Sequence, residues 1–278
     1  MEWNIIADSS CDTFELEKQY SDIRFSTIPF VISVESKDYV DDETLDTAQM
    51  VSAMEESKKT SHTSCPSPNA WYEQFLKPGY TIAVTISSRL SGSFNSATTA
   101  MNMIHEKYPD KKIALIDSHS TGPEMIMIIR KLCEWINSGA DFDDVVRNAI
   151  EYEKRTHIVF ALSSFNNLIK NGRMSRIAGF LAGRLHMWGI GIGSEEGTII
   201  IKHKVRGQKK ALETIISDIK ERRVKPVEVV ISYCQNLELA ETLKAAIEKL
   251  WNEAKVTIVP TRGLCSYYAE RNGLIVAF

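Results

Sequence analysis

Four serines and a glycine lie close together in the stretch "TISSRLSGSF" (85–94), between a strand-like run and a helix-like run. A helix N-terminus carries unpaired N–H groups and a partial positive charge. Ser87, Ser88, Ser91 and Ser93 could therefore bring N–H and O–H donors onto an anion, and Gly92 would permit close approach of the backbone. The local alternative is that one serine caps the helix while the others serve the turn.

Two further polar stretches could bind the same anion. "TSCPS" (63–67) offers the hydroxyls of Thr63 and Ser64, and "NGRMS" (171–175) offers Arg173, whose guanidinium can fork onto a carboxylate. The alternatives are a helix cap followed by proline for the first stretch, and a surface ion pair for the arginine. A phosphate loop is not indicated, because the pattern G-x-x-x-x-G-K-[ST] is absent.

A catalytic set is not indicated either. Cys65 has His62 three residues away and could be a nucleophile, but the sequence shows no third member of a triad. Ser88 lacks the flanking glycines of a nucleophile elbow, and the acidic pair Asp41 and Asp42 is expected to be solvated in a polar turn. We therefore expect a protein without enzymatic activity. A hydrolase or acyl-transfer enzyme that uses Cys65 or a serine of the turn is the alternative.

Composition narrows the class of protein. The 278 residues include 33 lysines and arginines against 36 aspartates and glutamates, a net charge of −3, so nucleic-acid binding is not indicated. The dense basic run "KHKVRGQKK" (202–210) is expected to be a solvated strand end and helix start, although a regulator could use it to dock a partner.

Five cysteines without a C-x-x-C pair favour reduced thiols in the cytoplasm and no metal site. No signal peptide is recognised, and no apolar window approaches the length of an integral membrane segment.

The elements that position these residues alternate between strand and helix, which predicts an α/β fold. We expect an N-terminal domain over 1–155, with a parallel sheet flanked by helices, and a C-terminal mixed α/β domain over 156–278. A cleft between two such domains is a common ligand site. Strands are predicted at 3–7, 27–34, 81–86, 111–118, 157–162 and 197–205.

Several stretches, taken in order, resemble the DegV family of bacterial fatty-acid-binding proteins. They are "IIADSSCD", "TSCPSP", "TISSRLSGSFNSA", "LIDSHSTGPEM", "LIKNGRMSRIAG" and "EEGTIIIKHKVRGQKKAL", and together they cover nearly the whole chain. The resemblance implies two α/β domains with a lipid tunnel between them. It also implies that the ligand is one long-chain fatty acid and that no cofactor is needed.

The resemblance also assigns roles to residues. Thr63 and Ser91 would bind the carboxylate, Gly92 and Ser93 would complete the loop, and Arg173 would lie near the mouth. Some members of the family present the acyl chain to a fatty acid kinase, which forms an acyl-phosphate for lipid metabolism. That role implies a kinase partner and a cytoplasmic location.

The sequence departs from the family pattern at some of these positions. Cys65 stands where glutamine is common, and "TRGLCSYYAERNG" (261–273) replaces a motif that contains a histidine. Tyr267 or Tyr268 falls near the position of that histidine, and Tyr268 is predicted to bind the ligand through its phenol. The apolar stretches "MIMII" (125–129) and "IAGFLAGRL" (177–185) are candidate tunnel walls.

Overall fold

A computed structural model of the chain describes residues 2–57, 59–174 and 186–278. The predicted wall at 177–185 lies outside the described residues. The strands are β1 (Trp3–Asp8), β2 (Ile23–Ile28), β3 (Val31–Val34), β4 (Lys37–Val40), β5 (His62–Ser64), β6 (Tyr80–Thr85), β7 (Ile113–Asp117), β8 (Ile158–Leu162), β9 (Met187–Gly193), β10 (Ile199–Arg206), β11 (Glu228–Tyr233), β12 (Lys255–Pro260) and β13 (Leu274–Ala277). The helices are α1 (Thr47–Glu56), α2 (Pro68–Phe75), α3 (Ser93–Lys107), α4 (Pro123–Asn137), α5 (Phe142–Glu153), α6 (Asn166–Lys170), α7 (Gln208–Glu221), α8 (Leu237–Leu250) and α9 (Gly263–Ala269).

The first sheet has the order β2-β1-β6-β7, and every pair in it is parallel. Alternate residues of β1 face opposite sides, so Ile6 packs with Trp71 and Phe75 of α2 while Ile5 packs with Leu132 of α4. Both faces are therefore covered by helices, as the sequence predicts for the N-terminal part of the chain.

The second sheet is mixed and has the order β10-β9-β8-β13-β11-β12, in which only β11 and β12 pair in parallel. Val159 and Ala161 of β8 face a core that α7 and α8 complete through Ile215 and Leu243. The opposite face carries Phe160 and its neighbours, which point towards the first half of the chain. The predicted α/β fold with a parallel sheet and a second, mixed sheet is confirmed.

A small sheet of order β4-β3-β5 joins the two parts. Ile32 of β3 and Met50 of α1 share one hydrophobic core with Phe160 of β8 and Tyr267 of α9. Residues that precede 155 thus pack directly against the mixed sheet. The division at 155/156 stays a prediction.

Two local expectations are wrong. The predicted strand 27–34 is two strands of different sheets, because Pro29 has no N–H to continue the ladder and β2 ends at Ile28. Asp41 is not solvated: it is completely buried, whereas its neighbour Asp42 remains partly exposed.

Candidate functional site

An apolar cavity lies between the Phe160 face of the mixed sheet and the loops that follow β6 and β7. Side chains from β8, β10 and β13 form one wall. The loop before β3, the serine-rich stretch 85–94 (the hydroxyl turn) and α9 form the other. The apolar residues of these walls are Phe30, Ile86, Leu90, Ile158, Phe160, Leu162, Leu168, Ile199, Leu264, Ala269 and Ile275. Such a lining suits a long hydrocarbon chain.

Polar side chains meet at one part of the cavity. The hydroxyls of Thr63 and Tyr268 lie 2.9 Å apart and form a hydrogen bond, and both residues line the cavity with Ser91 and Arg173. Arg173 is held by two carbonyl groups: its Nε donates to Leu90 O (3.2 Å) and its Nη1 to the carbonyl of Asn171 (2.5 Å). The structure therefore brings four of the predicted ligand residues to one cavity. Their contact with a ligand stays a prediction.

The electrostatics of this cluster favour an anion. Burial raises the pKa of Tyr268, while the hydrogen bond with Thr63 and the positive charge of Arg173 act in the opposite direction. Tyr268 is thus a neutral phenol at physiological pH and can donate a hydrogen bond. A carboxylate placed here would meet hydroxyl donors and one guanidinium.

The four serines of the hydroxyl turn have different hydrogen-bond partners. Ser87 is buried and donates to the carbonyl of Gly197 in the β9–β10 turn (2.7 Å), and Ser93 is buried and donates to Asp8 Oδ2 (2.7 Å). Ser91 Oγ accepts from Ser93 N (3.3 Å), which leaves its own hydrogen to donate into the cavity. Ser88 contributes its backbone N–H to the carboxylate of Asp117. Part of the hydroxyl content of this turn is therefore structural.

Other predicted site residues lie outside the cavity lining. Ser64 is exposed, because strand alternation in β5 turns it away from the side on which Thr63 faces the cavity. Gly92 is exposed and directly precedes α3, and the hydroxyl of Ser93 donates to Asp8 instead of facing the cavity. Ser67 accepts from Ala70 N (3.3 Å) and caps α2, so this stretch serves as a helix cap as well.

Cys65 has no catalytic partner among the described residues. It packs beside Phe30, Ile86 and Leu264, and no hydrogen bond joins it to His62 or to a carboxylate in this part of the chain. Within the same ranges, no cluster of histidine, cysteine and acidic side chains is arranged to hold a metal ion.

The predicted tunnel wall at 125–129 belongs to the interior instead. Met125, Ile128 and Ile129 of α4 pack under the parallel sheet, and Ile126 and Met127 pack with Val230 of β11. None of the five residues lines the cavity.

Sequence reasoning missed the network behind Tyr268. The hydroxyl of the neighbouring Tyr267 points the other way, bonding to Ser61 Oγ (2.8 Å) and accepting from Asn171 Nδ2 (2.9 Å). Asn167 Nδ2 donates to the carbonyl of Tyr267 (2.8 Å) and ties α6 to α9. The adjacent tyrosines "YY" mark the position in the sequence, but nothing in it separates their roles.

Known proteins resemble this chain over its whole length. The profile of the family described as "Uncharacterised protein, DegV family" matches residues 2–277. A DegV domain-containing protein of Streptococcus pyogenes serotype M3 is 36% identical over 278 residues, covering all of this chain and 99% of the relative. The chain belongs to the DegV family.

Two solved structures are similar to this DegV chain over nearly its whole length. The Fatty Acid Kinase (Fak) B3 protein of Streptococcus pneumoniae, loaded with linoleic acid, superposes with a TM-score of 0.97 at 36% identity, covering 100% and 99% of the two chains. A DegV family protein of Eubacterium eligens, loaded with heptadecanoic acid, has a TM-score of 0.94 at 33% identity, covering 99% and 98%. No helix among the described residues is long and apolar enough to cross a membrane.

Proposed function

We propose that this DegV chain binds one long-chain fatty acid without acting on it chemically. The observation that carries the proposal is an apolar cavity with the donors of Thr63, Ser91, Tyr268 and Arg173 at one part of its wall. A carboxylate is costly to bury unless it is hydrogen-bonded, and these groups can bind its oxygens. The hydrocarbon chain would supply most of the affinity, at about 0.8 kcal/mol for each buried CH₂.

We also propose that the bound acid is presented to a fatty acid kinase in the cytoplasm. The name of the S. pneumoniae relative, a Fatty Acid Kinase B3 protein, supports a kinase partner. All five cysteines are free, which suits a reducing compartment. Phosphorylation would belong to the partner, since the sequence contains no phosphate loop.

Native mass spectrometry of the protein purified from a bacterial host tests the ligand class. We expect one adduct for each chain, and organic extraction should identify it as a fatty acid. A protein that carries no adduct and takes up no added linoleate would contradict the proposal.

Matched ligands test the head-group site. Linoleate should bind more tightly than methyl linoleate, which has the same chain but no carboxylate to accept the donors of Thr63, Ser91 and Tyr268. Equal affinity of the two would leave the apolar cavity intact as a binding site but would contradict the proposed carboxylate contacts.

An enzyme that uses Cys65 is the competing function. Turnover of an activated acyl ester that disappears in Cys65→Ala would establish it. We expect the variant and the parent to show the same background hydrolysis, because no hydrogen bond joins Cys65 to a base in the part of the chain that the structure describes.

A further inference from the structure

The backbone N–H groups at the start of helix α9 donate to the carboxylates of two aspartates near the N-terminal end of the chain. Asp12 Oδ1 accepts from Arg262 N (2.7 Å), and Asp41 accepts from Gly263 N (2.6 Å) and Leu264 N (2.8 Å). These backbone N–H groups belong to the first turn of the helix, where no partner exists within the helix itself. The start of α9 thus has no side-chain cap of its own and depends on two remote aspartates.

Asp41 is itself fixed in position. Ser9 Oγ donates to Asp41 Oδ2 (2.8 Å) and accepts from Phe30 N (3.0 Å), while the backbone of Asp41 bonds to Phe30 O (2.9 Å). A Cβ atom at Gly263 would lie 2.6 Å from Asp41 Oδ1 and from Leu45 Cδ2, so the carboxylate fits only against glycine. The position of Asp41 therefore determines where α9 starts.

The same short helix carries part of the cavity wall. Leu264, whose N–H Asp41 binds, lines the cavity, and so does Tyr268 one turn later, where its hydroxyl meets Thr63. Successive residues of an α-helix are about 100° apart around its axis, so a slip of one residue at the start would turn the Tyr268 hydroxyl away from Thr63. The capping bonds and the head-group contact are thus connected through one rigid element.

We propose that Asp41 is a positioning residue for the carboxylate site: it holds the first turn of α9 so that Tyr268 meets Thr63 and the ligand. This inference rests on the proposed function and adds a residue that does not touch the ligand. Asp41 does not line the cavity, so its effect on binding must pass through α9.

Asp41→Asn tests the role, because the amide keeps the shape of the side chain but turns an NH₂ group towards one of the two backbone N–H groups. We expect the Kd for linoleate to rise by about fivefold in the parent protein and by less than about twofold in a Tyr268→Phe background, since residues that act through one contact are not additive. The matched control is Asp141→Asn, because Asp141 also caps a helix, through Asp144 N (2.8 Å), but α5 does not line the cavity. This control should leave the Kd unchanged in both backgrounds.

Two outcomes would overturn the inference: an unchanged Kd in Asp41→Asn, or the same fold-change with and without the Tyr268 hydroxyl. Failure of the parent protein to bind linoleate would instead overturn the proposed function, so the two failures are distinguishable. Circular dichroism and thermal unfolding verify that each variant is folded at the assay temperature. If Asp41→Asn does not fold, Ser9→Ala in the same two backgrounds carries the test, because it removes one donor to Asp41 and leaves the carboxylate in place. Ser9 also accepts from Phe30 N, but an effect that passes through Phe30 would be the same with and without the Tyr268 hydroxyl.

Discussion

Removing the Tyr268 hydroxyl should weaken fatty-acid binding by a moderate and calculable amount. In the proposed complex, Tyr268→Phe would remove a hydrogen bond to the ligand carboxylate, which is worth about 1.5–3 kcal/mol. The free protein also loses the 2.9 Å bond between Tyr268 and Thr63, worth about 1 kcal/mol, and this loss offsets part of the first. The net cost is about 0.5–2 kcal/mol, and the Kd should rise by about 2- to 30-fold.

Isothermal titration of the delipidated protein with linoleate measures this change. Tyr267→Phe is the matched control, because its hydroxyl bonds to Ser61 and Asn171 and the residue does not line the cavity. We expect the control to lower the melting temperature but to leave the Kd within about twofold of the parent. Equal Kd values for the two tyrosine variants would refute the assignment of Tyr268 to the carboxylate site.

Further predictions concern the cavity wall, the pH dependence of stability and the hydroxyl turn. A Cβ atom at Gly193 would lie 2.8 Å from Ile158 Cγ2, and both residues line the cavity, so Gly193→Val should narrow it. Native mass spectrometry should then show a shift towards shorter bound acyl chains. An unchanged distribution of bound chain lengths would contradict this prediction. Burial raises the pKa of Glu124 to about 7, so the folded state holds this proton to higher pH than the unfolded chain does, and the free energy of unfolding should fall as pH rises from 4.5 to 7. In urea titrations Glu124→Gln should remove up to about 3 kcal/mol of that fall between pH 4.5 and pH 7, and an unchanged fall would exclude Glu124 as its source. Ser87→Ala leaves a buried carbonyl without its donor and should lower the free energy of unfolding by about 1–3 kcal/mol. Ser88→Ala, which removes no hydrogen bond of the described side chains, should change the same quantity by less than about 0.5 kcal/mol, and equal losses would contradict the assignment.

Periodicity predicts the regular elements of this chain well. The apolar runs at 3–7, 81–86 and 157–162 correspond to β1, β6 and β8 within a residue or two. The grouping into a parallel sheet followed by a mixed sheet is also predictable, because the first half alternates strand and helix. These features depend on local patterns that each stretch carries by itself.

The site is predictable only in part, because its geometry depends on distant pairings. Thr63 and Ser91 line the cavity, as expected. Ser64 does not, because strand alternation turns its side chain away, and the hydroxyl of Ser93 donates to Asp8 instead of facing the cavity. The burial of Asp41 could not be read from a polar turn, because its partners are backbone groups more than two hundred residues away. Sequence patterns report which residues can donate, but not which of them face a shared cavity.

The wide spacing of the head-group residues has a consequence for synthesis of the protein. The Thr63–Tyr268 hydrogen bond joins residues 205 positions apart, and the Asp41–Gly263 bond spans 222. While α9 is still inside the ribosome, the exposed chain has the loops of Thr63 and Ser91 but lacks Leu264 and Tyr268 of α9 and Ile275 of β13, which also line the cavity. Contacts of such long range are also the slowest to form during folding. The complete lining of the cavity therefore forms only after the chain has been made through β13 and has folded.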